Sequence, residues 1–207
     1  NATGDPATNE DDVTHRIGIV KFSGNESDQI GNDTYRSDGN TYNYSQAVQD
    51  LTSVTGNVQS LKNAVNELAA AGSTRTDFGL NQAQRVLDGD WQHGLGGARE
   101  EAKQVVVVFT DGEPSTFSNW SGGVAANAVN LAKDLKDDKV TVYTIGMFED
   151  ADPSDTDGRF NKYMNGVSSN YPNAEVTNWR GDRTQDWDDC KLGTRVTEGN
   201  YYFAADD

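Results

Sequence analysis

The segment Thr110-Asp-Gly-Glu-Pro114 sets a carboxylate directly behind Val105-Val-Val-Val-Phe109. That β-branched run has the composition of a strand buried on both faces of a parallel sheet. Ligands of open α/β sheets bind at the carboxyl ends of the strands. A carboxylate there costs free energy unless a cation or hydrogen bonds satisfy it. Asp111 is therefore the first candidate for holding a cation, with the capping of a turn or helix as its plain alternative. The second candidate is Gly72-Ser-Thr-Arg-Thr-Asp77, which offers hydroxyls at Ser73, Thr74 and Thr76. Thr76 or Asp77 could equally be the N-cap of a following helix. Trp120, in the 115–123 loop after Asp111, would border a ligand held there or pack that loop onto the body.

Other signals are less specific. Glu149-Asp-Ala-Asp-Pro-Ser-Asp-Thr-Asp-Gly158 is dense in carboxylates but lacks EF-hand spacing, so it reads as a solvated acidic loop. Arg180-Gly-Asp182 is an integrin-type tripeptide in an expected loop, flanked by Trp179 and Trp187 in the same late region. The two histidines, His15 and His93, are far apart. No nucleophile–base–orienter set can be assembled, and no Gly-rich phosphate loop follows a strand. The single cysteine, Cys190, excludes a disulfide within the chain and a cysteine-only zinc site, and is expected to be a buried, idle thiol.

Charge narrows the partner classes. Seventeen basic against 33 acidic residues give a net charge of −16 over 207 residues. That balance argues against nucleic acid, which needs Lys and Arg clusters, and favours cations or a basic partner. No stretch approaches the ~20 apolar residues of a membrane helix, so membrane insertion is not expected. The first residues lack the basic-then-apolar pattern of a signal peptide.

The elements that must position these residues follow from periodicity. Residues 16–22 read as a strand and 23–40 as a turn-rich loop. A short edge strand is expected within 41–52. Residues 57–71 read as a helix with Val58, Leu61, Val65 and Leu68 on one face, stopped by Gly72. A second helix is expected over 77–87, a loop over 88–97 and a buried strand over 105–109. A helix over 125–135, a strand over 140–145, a helix over 159–168 and a last strand over 201–204 complete the pattern. Alternating strands and helices give an α/β fold with a mostly parallel sheet flanked by helices. The expected organisation is a polar segment, 1–15, and one domain, 16–207, with a long acidic insertion at about 170–199.

Four blocks in order carry a resemblance: Arg16–Phe22-Ser23, Gly72-Ser-Thr-Arg-Thr-Asp-Phe-Gly-Leu80, Val105–Phe109-Thr-Asp-Gly-Glu-Pro114, and Ala132-Lys-Asp-Leu-Lys followed by Val140-Thr-Val-Tyr-Thr-Ile-Gly146. Together they resemble von Willebrand factor A domains, and most of all those of Gram-positive surface adhesins and pilus-tip proteins. The resemblance implies a Rossmann-like fold with a metal-ion-dependent adhesion site for Mg²⁺ or Mn²⁺. By motif match Thr74 and Asp111 would be its metal ligands, with Ser73 and Trp120 beside the ligand. It also implies an extracellular, cell-wall-attached module that binds a host protein or glycan and adjoins neighbouring pilin or surface-protein domains.

The family's Asp-x-Ser-x-Ser loop is missing, together with the strand and helix around it. The domain is therefore expected to be N-terminally incomplete, with metal affinity weak or nil and two inner strand edges left unpaired. The gap would come from truncation, be filled by another chain, or be closed by the sheet itself. A structural pilin or assembly module with a vestigial metal site is the first alternative function. A phosphoryl-transfer hydrolase using Asp111 as nucleophile is the second, although Glu113 stands where such enzymes place a second Asp. The reading adopted is a non-enzymatic binding module.

Overall fold

A computed structural model describes residues 15–117 and 119–205. All of the polar 1–15 segment except His15 lies outside the described residues.

The N-terminal half forms a four-stranded sheet. Strand β1 (Arg16–Lys21), β2 (Asn25–Glu26) and β3 (Thr34–Ser37) all pair with β4 (Asn40–Ser53), in the order β1-β4-β2 with β3 also on β4. β1 and β3 are antiparallel to β4, and β2 is parallel to it. The expected short edge strand is thus a central strand of 14 residues. Hydrophobic periodicity does not show its length, because β4 is held by aromatic and polar contacts rather than by an aliphatic stripe. Tyr35 of β3 stacks on Tyr42 at 5.5 Å and tilts against Tyr44 at 4.9 Å. Buried Ser45 accepts from the Ser23 amide at 2.9 Å and donates to its carbonyl at 2.8 Å. Within the expected 23–40 loop, Asp38 (φ 48°) and Gly39 (φ 80°) make the two left-handed positions of a tight hairpin turn.

Helix α1 (Val58–Asn66) ends five residues earlier than expected, and of its apolar stripe only Leu61 is buried. Helix α2 (Thr76–Asp88) packs on β1 and β4 and against helix α3 (Gly122–Asp137). Between them come β5 (Val105–Thr110) and the small hairpin β6 (Ser115–Thr116) and β7 (Asn119–Trp120). After α3 come β8 (Thr141–Gly146), α4 (Arg159–Val167), β9 (Glu175–Val176), β10 (Cys190–Lys191) and β11 (Tyr202–Ala204).

β5, β8 and β11 form the parallel sheet, in the order β11-β8-β5. Its inner face meets the alanine-rich side of α3, where Ala125, Ala126, Ala128 and Ala132 are fully buried with Val142, Tyr163 and Met164. Alanines let the helix approach closely, and interior packing of this kind rewards the area removed from water. α4 lies on the same face, where the Thr144 hydroxyl donates to the Met164 carbonyl at 3.2 Å. The opposite face is bare. β5 buries Val108 but exposes Val105, Val107 (47 %) and Phe109 (54 %), so the expected burial on both faces does not occur. The reason is that α3 and α4 both cover one side of this sheet.

The 170–199 region folds back onto α3. Val176 is fully buried, and Asn130 of α3 clamps it, donating to its carbonyl at 3.1 Å and accepting from its amide at 2.9 Å. Lys136 reaches from the end of α3 to the carbonyls of Gly166, Ser168 and Tyr171. That caps groups a helix C-terminus leaves unpaired.

Candidate functional site

The chain turns sharply where β5 ends. The Thr110 hydroxyl donates to the Gly112 carbonyl at 2.8 Å and accepts from the Gly112 amide at 3.3 Å. This turn leaves Asp111 exposed, and no described group donates to its carboxylate. The 73–74 segment is stitched to the β6–β7 hairpin. Thr74 donates its amide to Ser115 Oγ at 3.0 Å, and its carbonyl accepts from the Ser115 amide at 3.1 Å. Ser73 Oγ accepts from the Phe117 amide at 2.9 Å. A Cβ added to Gly112 would stand 3.1 Å from Thr74 Oγ1. Thr74 and the Asp111-Gly112 turn are therefore neighbours, while the Ser73 hydroxyl is already engaged by backbone.

Trp120 points to the body. It meets Trp187 edge-on at 5.5 Å and Tyr163 at 6.3 Å, with the Arg159 guanidinium 5.1 Å from its ring. Thr76 opens α2 without capping it, since its hydroxyl accepts from Tyr163 Oη at 2.6 Å. Burial drives the Tyr163 phenol far above its ordinary range, so it stays a donor. Asp77 is 3 % exposed and accepts from Nε and Nη2 of Arg75, each at 2.8 Å.

These residues do not make a full metal site on their own. Thr74 and Asp111 offer two hard oxygen donors. Mg²⁺ requires six ligands in near-octahedral geometry and keeps several waters. The carboxylates next along these two segments are already engaged, Asp77 by Arg75 and Glu113 by Arg159 at 3.0 and 2.7 Å. Among the described residues no group of three or more His, Cys, Asp or Glu side chains is placed to hold an ion.

The acidic 149–158 loop is organised by its own carboxylates. Asp152 accepts from the Ser154 amide and hydroxyl, and Asp155 from the amides of Asp157 and Gly158. Those donors hold both carboxyls below their ordinary range. Buried Asn161 ties the loop to the core. It donates to the Asp150 carbonyl and Asp155, and accepts from the Asp152 amide and from Tyr202 Oη at 2.6 Å. Arg180-Gly-Asp182 sits on a tight turn, with Asn178 Oδ1 accepting from the Arg180 and Asp182 amides. Trp179 beside it is 84 % exposed. His93 is paired with Asp90 at 2.8 Å, and His15 is exposed.

Sequence reasoning passed over Phe117. It is 67 % exposed and sits at φ 61° at the hairpin tip. A bulky residue in the left-handed region is held there only by its surroundings. Here the constraint is the Phe117 amide bonded to Ser73. The one cue in the sequence was a large aromatic among turn-forming residues.

The family model of the von Willebrand factor type A domain matches residues 7–180. The chain belongs to this family, and that membership suggests a module of the binding or adhesion type. No curated protein matches the chain. Solved structures similar to it include proximal thread matrix protein 1 from the mussel byssus, at 16 % identity and a TM-score of 0.42. That match covers 74 % of this chain and 30 % of the byssus protein, so the chain spans under a third of that protein's length. No helix among the described residues is long and apolar enough to cross a membrane.

Proposed function

We propose that this domain is an extracellular, cell-wall-attached adhesion module that binds a host protein or glycan through the loop face at the carboxyl end of β5. The observation that carries this reading is the pairing of an undonated carboxylate, Asp111, with an exposed aromatic, Phe117, on loops fixed by the Thr74–Ser115 and Ser73–Phe117 hydrogen bonds. An aromatic anchor beside a charge, both on rigid backbone, is the usual make-up of a binding hot spot. In a domain with a full ligand set, Thr74 and Asp111 would each give an oxygen to Mg²⁺ or Mn²⁺. In this chain recognition runs through the Asp111 and Phe117 side chains themselves.

Binding is favoured over catalysis because Glu113, the residue two after Asp111, is engaged by the Arg159 guanidinium rather than turned toward Asp111 as a partner acid. A role in assembly beside neighbouring pilin domains is the second reading, supported by the bare outer face of the parallel sheet.

The test uses surface plasmon resonance on a panel of immobilised extracellular-matrix proteins and glycans. D111A and F117A should each weaken the strongest interaction about tenfold, or about 1.4 kcal/mol, with unchanged melting temperature and no effect of EDTA. Parent-like binding by both variants would end this reading.

A further inference from the structure

A groove of about 520 Å³ lies between α2 and α3. Phe78 and Asn81 line it from α2, Asn127 and Leu131 from α3, and Thr184 and Gln185 from the segment after the Arg180-Gly-Asp182 turn. Its size falls within the roughly 300–1,000 Å³ of small-molecule sites. None of these residues belongs to the Asp111–Phe117 face. The 183–185 segment is fixed along α3, because Arg183 is paired with Asp134 and a Cβ on Gly123 would stand 3.7 Å from Gln185 Cβ.

The charged groups of the groove are already engaged. Arg183 is bound by Asp134, buried Asp77 by Arg75, and Glu26 accepts from Asn81 Nδ2. A phosphate or an acidic sugar would therefore meet no unpaired guanidinium or ammonium among the lining residues. What stays unpartnered is neutral. Among the described residues Asn81 Oδ1, Asn127 Oδ1 and the Gln185 side-chain amide have no hydrogen-bond partner. Thr184 Oγ1 accepts from the Asp186 amide and has its own proton to give.

Asparagine inside a helix is unfavourable, since its side chain competes for backbone groups. Asn130 of α3 has a structural reason to be there, the clamp on Val176. Asn127 makes only a 3.5 Å contact with Asp77. Beside these amides Phe78 and Leu131 supply apolar surface, and the Arg75 guanidinium lies 3.5 Å over the Phe78 ring.

We propose that this groove is a binding site for a neutral saccharide. Sugar hydroxyls both donate and accept, and so match side-chain amides that offer both. The C–H face of a sugar ring packs on Phe78 and Leu131. Peptides are usually taken on a sheet edge, in an apolar groove or by an arginine cluster, whereas helices carrying neutral amides form most of this lining.

The test is ¹H–¹⁵N NMR of the labelled 207-residue protein, titrated with neutral hexoses, N-acetylhexosamines and their disaccharides. At least one sugar should shift the side-chain NH₂ signals of Asn127 and Gln185 and the backbone amides of 78–81, and the shifts should saturate. N127A and Q185A should each weaken that sugar about tenfold, while D111A binds it as the parent does. Alanine is the better helix former, so N127A should melt no lower than the parent. The absence of a saturable shift with any of these sugars would overturn the proposal, and so would parent-like binding by both groove variants. Shifts confined to 111–117 would move the sugar to the loop face, and equal shifts from a neutral glycine–serine peptide would assign the groove to peptide amides; either result also overturns it. The Asp111–Phe117 reading is untouched by these outcomes, because its own test reads D111A and F117A.

Discussion

Replacing Asn130 with alanine isolates what fastens the 170–199 region to the body. Asn130 is 5 % exposed, and its amide occupies both main-chain groups of the fully buried Val176. Truncation removes two hydrogen bonds, each contributing about 1 kcal/mol net. It also leaves a buried amide and a buried carbonyl without partners, and each orphan costs roughly 1–3 kcal/mol if the backbone cannot move. Some relaxation toward water lowers the sum, so the expected loss is about 3 kcal/mol. For a domain of this size that corresponds to a fall in Tm of roughly 6–12 °C. The readout is calorimetric melting with intrinsic fluorescence. Trp187 should report the change because it packs on Trp120 and Tyr163. A fall below about 2 °C would refute the reasoning, since about 1 kcal/mol already shifts such a domain by 2–4 °C.

Two further outcomes follow from packing and burial. Gly79 lies inside α2, where alanine is worth about 1 kcal/mol more than glycine on helix propensity. A Cβ there would stand 2.8 Å from Phe22 Cβ and 2.9 Å from Phe22 Cδ1. Overpacking costs about 1–3 kcal/mol, so G79A should lower stability in urea unfolding, and a stabilised variant would show that Phe22 yields freely. Burial pushes the Cys190 thiol up to about 11. A group whose ionisation is suppressed in the fold stays a thiol at pH 8 and reacts only above about pH 10 or after unfolding. Iodoacetamide should therefore label the urea-unfolded chain and spare the native one at pH 8. Rapid native labelling would contradict the burial.

Legibility in the sequence tracked the type of contact that holds each element. β5, β8, α2, α3 and α4 were readable because aliphatic residues recur at strand or helix spacing and the core is built from them. β4 was not, because Tyr–Tyr stacking and a Ser23–Ser45 hydrogen-bond pair hold it, and neither leaves a periodic hydrophobic trace. The loss of the last turn of α1 has a similar cause. Val58 and Val65 kept the helical spacing, but they meet nothing that would bury them. At the site, the motif singles out Thr74 and Asp111, and the structure sets the 73–74 segment beside the Asp111-Gly112 turn. Packing of Trp120 onto the body is one of the two readings its loop allows, but the strained tip at Phe117 was not readable, since it depends on Ser73, far away in sequence.

The largest mismatch is itself informative. Val105-Val-Val-Val-Phe109 has the composition of a strand buried on both faces, and α3 and α4 bury only one. All-parallel sheets occur almost only with both faces covered, because bare aliphatic rows invite association. On the outer face Val105, Val107 and Phe109 continue across the register to Tyr143, Ile145 and Phe203, with Tyr143 stacked on Phe203 at 6.1 Å. Among the described residues the same strand also pairs on one side only, with β8. A residue pattern suited to full burial, on a strand whose outer face is exposed among the described residues, fits a neighbour on that face. Charged replacements test the face separately from the edge. If the outer face is normally covered, V107K should reduce concentration-dependent association and binding of a hydrophobic dye without lowering Tm. A Tm loss of more than about 4 °C would mean that Val107 already stabilises the domain as it stands.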